Sequence, residues 1–177
     1  GYRWSPDSEY ISFWEENEEM VPEFFMLNEL NHYPTIKKIR YPKVGEKNPS
    51  LRLGIIRIKG AGRKWIKGGE AVDGYLPWME WVNKDKIAYM RLDRLQKNWD
   101  ILVADRKTGK SVKILSESDP KGWLENHKQI RFLEDGRIIW ISEKSGYKHL
   151  WISKHSGSMS WPITQGQWEV TKIIHID

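Results

Sequence analysis

The chain's five histidines stand at positions 32, 127, 149, 155 and 175, and it has no cysteine. That inventory rules out thiolate and disulfide chemistry. No H-E-x-x-H pairs two of the histidines on one helix face, and no G-x-S-x-G raises a serine on a strand-to-helix turn. His149 lies beside Tyr147 and Leu150 at the start of an apolar run, and reads as a packing or turn-bonding residue rather than a base or ligand. The stretch Ala104-Asp105-Arg106-Lys107-Thr108-Gly109-Lys110-Ser111 mimics a phosphate loop, but Ala104 replaces the first glycine and no helix signal follows to hold phosphate. It reads as a hairpin turn. What survives is Asp119-Pro120-Lys121-Gly122-Trp123 with Glu125, Asn126 and His127, a connecting loop whose Trp123, Glu125, Asn126 and His127 are candidate substrate-proximal residues. The competing reading is a packing crossover with Trp123 wedged between neighbouring units. No metal site and no cofactor is expected.

The elements that must position such a loop repeat. Trp4-Ser5-Pro6-Asp7-Ser8 followed by Tyr10–Trp14 is matched by Trp81–Asp85 with Ile87–Met90, and by Phe132–Gly136 with Ile138–Ile141. Each copy is an aromatic strand end, a polar turn and a second strand rich in β-branched and aromatic residues. A third and fourth strand follow each: Leu53–Ile58 and Lys64–Ile66, Ile101–Ala104 and Val112–Leu115, His149–Ser153 and Trp161–Thr164. Trp168–Ile176 reads as the first strand of a fourth unit. Four-stranded units at a period of roughly 40–50 residues are the pattern of β-propeller blades. The chain therefore predicts an all-β partial propeller with blades over 1–67, 75–116 and 128–164, and another beginning at 168–177. Three and a fraction units predict no closed ring.

Ile87 to Ile138 is one period, 51 residues, but Tyr10 to Ile87 is 77, so the first blade carries an insertion over 15–50. That arm opens on Glu15-Glu16-Asn17-Glu18-Glu19 and continues with Met20, Val21, Pro22, Phe24, Phe25, Met26 and Leu27, then Tyr33 and Tyr41. A long insertion with adjacent phenylalanines reads as a partner surface rather than disorder, and the competing reading is an arm that folds back onto its own blade. The 29 basic and 24 acidic residues leave a net charge of +5. The basic residues alternate with apolar ones or sit in turns, which reads as solvated strand faces and not as a nucleic-acid surface. The eleven tryptophans read as wedge fillers between sheets rather than as a sugar-binding platform. No apolar run approaches the ~20 residues that span a bilayer. Both ends fall inside strand patterns, so the chain reads as a piece of a longer protein.

Six short motifs in order then carry a resemblance: Gly1-Tyr2-Arg3-Trp4-Ser5-Pro6-Asp7-Ser8, Val21-Pro22, Tyr41-Pro42-Lys43-x-Gly45-x-x-Asn48-Pro49, Asp119-Pro120-x-Gly122-Trp123, Gly146-Tyr147-x-His149-Leu150 and Gly166-x-Trp168-Glu169-Val170. The chain resembles, over its whole length, the N-terminal β-propeller of the dipeptidyl peptidase IV family, in the prolyl oligopeptidase clan of serine peptidases. The lack of cysteine resembles the bacterial members. Lys97 departs from the pattern, since bacterial members have Asn directly after the Gln at the place of Gln96. The resemblance implies an exopeptidase that removes N-terminal X-Pro or X-Ala dipeptides from peptide substrates. It implies that the Glu pair holding the substrate amine lies upstream of Gly1. The Ser, Asp and His of the triad would lie in a C-terminal α/β-hydrolase domain, so this piece has no catalytic residues. It further implies a homodimer joined through the arm, no nucleic-acid partner, and a periplasmic or cell-envelope location. The bare repeats leave a second reading open, a stand-alone propeller that binds protein partners.

Overall fold

The computed structural model describes residues 1–60, 62–125, 129–154 and 159–176. Among them there is no helix, and three four-stranded antiparallel sheets form the body. The first holds β1 (Tyr2–Trp4) and β2 (Tyr10–Asn17). The chain then leaves to make a separate hairpin of β3 (Glu23–Asn28) and β4 (Thr35–Arg40), and returns as β5 (Ser50–Arg57) and β6 (Arg63–Ala71). Sheet order β1-β2-β5-β6 follows, with β2 and β5 in register from Tyr10↔Arg57 to Asn17↔Ser50 as though the arm were absent. The second sheet is the meander β7 (Gly74–Asn83), β8 (Lys86–Asp93), β9 (Asn98–Asp105) and β10 (Ser111–Ser118). The third is β11 (Ile130–Phe132), β12 (Ile138–Ser142), β13 (His149–Ser153) and β14 (Ser160–Pro162).

The middle sheet is buried on both faces, and β8 shows why its sequence is apolar without alternation from Ile87 to Met90. Successive strand residues point to opposite faces. Ile87 and Tyr89 enter a core shared with Leu53, Ile55 and Ile66 of the first sheet. Ala88, Met90 and Leu92 enter a second core with Trp99, Ile130 and Trp140, which reaches the third sheet. Trp78, Trp81, Trp99 and Trp140 thus fill the wedges between sheets, whereas Trp4, Trp123, Trp161 and Trp168 are exposed. On the first sheet's outward face Phe13 and Trp65 meet edge to face at 5.7 Å across Gly54, where a Cβ would lie 2.6 Å from the Phe13 ring.

Polar ties cross the wedges too. Trp81 Nε1 donates to the Arg3 carbonyl at 3.2 Å, and Tyr89 donates to Ser111, which donates to the Lys67 carbonyl. The Arg106 guanidinium stacks 4.0 Å over Tyr10 and pairs with Asp85 at 2.7 Å. Between the second and third sheets, Trp140 Nε1 donates to Glu117 at 2.8 Å. Burial pushes the Glu117 carboxyl above its usual range, more than the bonds from Ser142 and Trp140 lower it. The folded chain therefore binds this proton more tightly than the unfolded one, and the linked stability is lost as pH rises through the raised value. Glu117→Gln keeps an acceptor for Trp140 without the charge. It is expected to raise the melting temperature at pH 7, with the gain shrinking to nothing by about pH 4, where the wild-type carboxyl is itself protonated. Thermal melts across that range check it.

The phosphate-loop mimic is the β9–β10 turn. Asp105 accepts from the Thr108 amide and hydroxyl, which holds its carboxyl below the usual range, and Gly109 turns at φ 72°. The stretch Trp168–Ile176 carries no ladder among the described residues. The expected strand has no neighbour here to pair with, and side chains hold it instead. Gln129 donates to the Thr171 carbonyl and accepts from the Ile173 amide, and the Val170 amide reaches the Lys148 carbonyl.

Candidate functional site: a crossover loop and a protruding hairpin

The loop after β10 is built on the β8–β9 turn. The Asp119 carboxylate accepts from the Gly122 and Lys121 amides, which holds its carboxyl below the usual range. The Asp119 amide donates to the Lys97 carbonyl at 2.9 Å, and the Leu124 amide to the Gln96 carbonyl at 2.6 Å. Lys97, the departure from the bacterial pattern, also donates its Nζ to the Pro120 carbonyl and its amide to Asp93. Asn98 supplies the amide side chain one place later, bonding Asp93 and accepting from Ser118. Gln96 stands at φ 55°, a left-handed position that these bonds enforce.

Trp123 is 63% exposed, so it is not the wedge between sheets; Leu124 takes the inward place against the second core. The reading of Trp123 as a packed crossover residue is corrected by one position. Glu125 pairs with Lys148 at 3.0 Å, and Lys148 also reaches Glu143 at 3.3 Å. Lys148 thereby gains a raised pKa, from Glu125 first. Asn126 and His127 lie outside the described residues, as do His155, Ser156, Gly157 and Ser158 of the last hairpin turn. His149 is buried, with both ring nitrogens bonded, to Thr164 Oγ1 and to the Gly166 carbonyl. It is a turn organiser, as its place at a strand start implied.

The arm is a two-stranded hairpin. Its register runs from Glu23↔Arg40 to Asn28↔Thr35, so partners across it share a face. Phe24, Met26, Lys37 and Ile39 lie on one side; Phe25, Leu27, Ile36 and Lys38 lie on the other. Neither side has a core beneath it. Phe25, Met26 and Leu27 are 57%, 47% and 60% exposed and Met20 is 67% exposed, while Phe24 leans on Tyr41 at 5.9 Å with Lys43 over its ring. Tyr33, near the tip, is exposed and meets the His32 ring at 4.9 Å. Val21 differs from its neighbours in the apolar run. It is 1% exposed and belongs to the root of the arm, where Arg40 donates to its carbonyl at 2.7 Å and the Tyr41 amide bonds the Pro22 carbonyl. Arg94 fastens the returning strand, pairing with Asp73 and donating to the Glu46 carbonyl.

Among the described residues no three His, Asp or Glu side chains converge as a metal set. Glu15, first of the acidic run, is already held on the first sheet by Arg52 and, at 3.5 Å, by Arg63. It is not free to receive an ammonium. The second residue of each pair in that run, Glu16 and Glu19, is exposed at the root of the arm.

Comparison with known proteins agrees on one family. The family model described as the dipeptidyl peptidase IV (DPP IV) N-terminal region matches residues 1–177. A protein of Aspergillus flavus named "Probable dipeptidyl peptidase 4" is 31% identical over 190 residues, covering 98% of this chain and 25% of that protein. Dipeptidyl peptidase 4 of Trichophyton equinum is 29% identical, covering 98% and 24%. The crystal structure of Porphyromonas gingivalis dipeptidyl peptidase 4 superposes with a TM-score of 0.88 at 30% identity, over 99% of this chain and 26% of that one. The chain thus spans about a quarter of the length of the relatives it matches. With three propeller-type sheets and a family match from end to end, the chain belongs to the dipeptidyl peptidase IV N-terminal region family.

Proposed function

We propose that this chain is the propeller part of a serine exopeptidase that removes X-Pro or X-Ala dipeptides from the free amino terminus of peptides. The observation that carries the reading is the end-to-end family match. In this reading the parent chain adds a C-terminal α/β-hydrolase domain with the Ser, His and Asp. It also adds an acidic pair for the substrate ammonium, a charge-assisted contact that sets the cut after the second residue. The loop around Trp123 and Glu125 then faces the substrate route, and the arm faces a second subunit. A peptide-degrading enzyme of this kind fits a periplasmic or cell-envelope location.

The outer sheets support continuation of the propeller on both sides. The face of the first sheet turned away from the second carries Tyr2, Trp4 and Ile56, exposed by 61%, 51% and 38%. On the third sheet, Trp161 opposite Ile152 is 43% exposed. Further blades would cover both faces, as each neighbour covers the middle sheet.

The test separates the piece from the whole. The isolated 177-residue chain is expected to show no turnover of Gly-Pro-p-nitroanilide, and the full-length protein to turn it over at ordinary enzymatic rates, on the order of 1–10³ s⁻¹. Turnover by the purified piece, titratable with an active-site reagent, would overturn the placement of the triad outside it.

A further inference from the structure

The second and third sheets do not match in strand length. Strands β7–β10 have 8–10 residues, whereas β11 and β12 have 3 and 5. The core of Trp99, Leu115 and Trp140 fills one end of the cleft between them. Toward the β9–β10 turn the long strands overhang the short ones. A wedge of about 530 Å³ remains, with an apolar floor of Val82, Val103, Val112, Ile114, Phe132 and Ile138.

The charge around it is one-sided. Lys86, Lys110 and Lys113 stand at the wedge against a single carboxylate, Asp105. Asp105 is engaged by Thr108 within its own turn. Lys113 shares Asp100 with Arg91. Lys86 and Lys110 form no ion pair among the described residues. The wedge also opens along β10, the outer edge of the sheet, whose outward backbone groups have no ladder partner among the described residues.

We propose that this wedge binds an extended peptide segment of a partner protein in which aliphatic side chains are flanked by carboxylates. The apolar floor takes the aliphatic groups, the two unpaired lysines take the carboxylates, and the free edge of β10 takes the backbone by strand addition. A floor of six aliphatic and aromatic side chains offers nothing to a sugar-phosphate backbone, which sets the occupant apart from a nucleic acid. This docking surface is separate from the crossover loop and the arm, and it stands whether or not the parent is a peptidase.

The experiment is fluorescence anisotropy on the full-length protein with an N-acetylated, labelled peptide Glu-Leu-Asp-Leu-Glu-Ile and its counterpart with Lys at each acidic place. Acetylation keeps both peptides out of any site that reads a free amine. The acidic peptide is expected to bind saturably, and the lysine peptide at least about tenfold more weakly. Lys86→Glu with Lys110→Glu is expected to reverse that preference. Val112→Asp, at a position 66% exposed and so free of the core, is expected to weaken the acidic peptide by about tenfold or more with an unchanged circular dichroism spectrum. Absence of saturable binding, equal binding of both peptides, or indifference to Val112→Asp would each overturn the proposal.

Discussion

On the proposal that the arm joins two subunits, replacing Phe24 and Phe25 together by Asp is expected to convert the full-length protein from dimer to monomer at micromolar concentration. The two side chains point to opposite faces of the β3–β4 hairpin, so the pair of substitutions strikes the arm whichever face meets the partner. Neither face has a core of its own, and the root of the arm is already fixed by Arg40, Arg94 and the buried Val21. The arm is thus presented as a preordered hairpin, which lowers the ordering cost of docking. Full burial of a phenylalanine contributes about 1.5–3 kcal/mol, and a two-fold interface counts each substitution twice. Even after ordering costs, a loss of about 3 kcal/mol raises the dissociation constant on the order of a hundredfold. Sedimentation velocity of the double variant reads it directly. An unchanged dimer would show that the subunits are joined without the arm.

The second large effect is expected at His149. A carbonyl oxygen only accepts, so Nε2 carries the proton given to Gly166 at 2.9 Å, and Nδ1 accepts from the Thr164 hydroxyl at 3.1 Å. The same hydroxyl oxygen accepts from the Leu150 amide, and Trp168 closes the ring edge on at 5.1 Å. Gly166 is required where it stands, at φ 133°, because a Cβ would lie 2.5 Å from Trp168 Nε1. His149→Ala empties this buried centre and removes both of its hydrogen bonds, a cost of about 3 kcal/mol. In hydrogen exchange of the full-length protein, the Leu150 and Val170 amides are expected to exchange about a hundredfold faster. Amides in β8, on the far side of the second core, should stay as protected as before. His149→Gln, which keeps one donor, should fall between. Unchanged exchange in the alanine variant would mean that His149 only fills space.

The strands were legible because each carries β-branched or aromatic residues and each turn carries its own chemistry, as in Asp105–Gly109 and Asp135-Gly136. The arm was legible as an insertion through the broken period, and its exposed apolar run through residue type. Its hairpin register was not legible, because two strands without a core leave no burial pattern to read. The burial of Val21 was not legible either: it sits where the returning chain bonds the Val21 carbonyl through Arg40 and the Pro22 carbonyl through Tyr41, far along the sequence. At the crossover loop, Trp123 drew attention by size, but the inward position is set by the bond from the Leu124 amide to Gln96, which no residue type announces. Lys97 read only as a departure from a pattern, whereas its backbone and Nζ bind the loop that follows β10. The exit stretch after Trp168 has strand-like residues, and whether they form a ladder depends on a neighbouring strand rather than on their own sequence.

The central claim is that this propeller serves an exopeptidase which reads a free amino terminus. It is tested most directly by mass spectrometry of two peptides with the full-length protein, identical in sequence and beginning Gly-Pro, one with a free amine and one acetylated. The account predicts that the free peptide loses one Gly-Pro dipeptide and the acetylated peptide stays intact. Cleavage of the acetylated peptide, or loss of single residues from the free one, would contradict it.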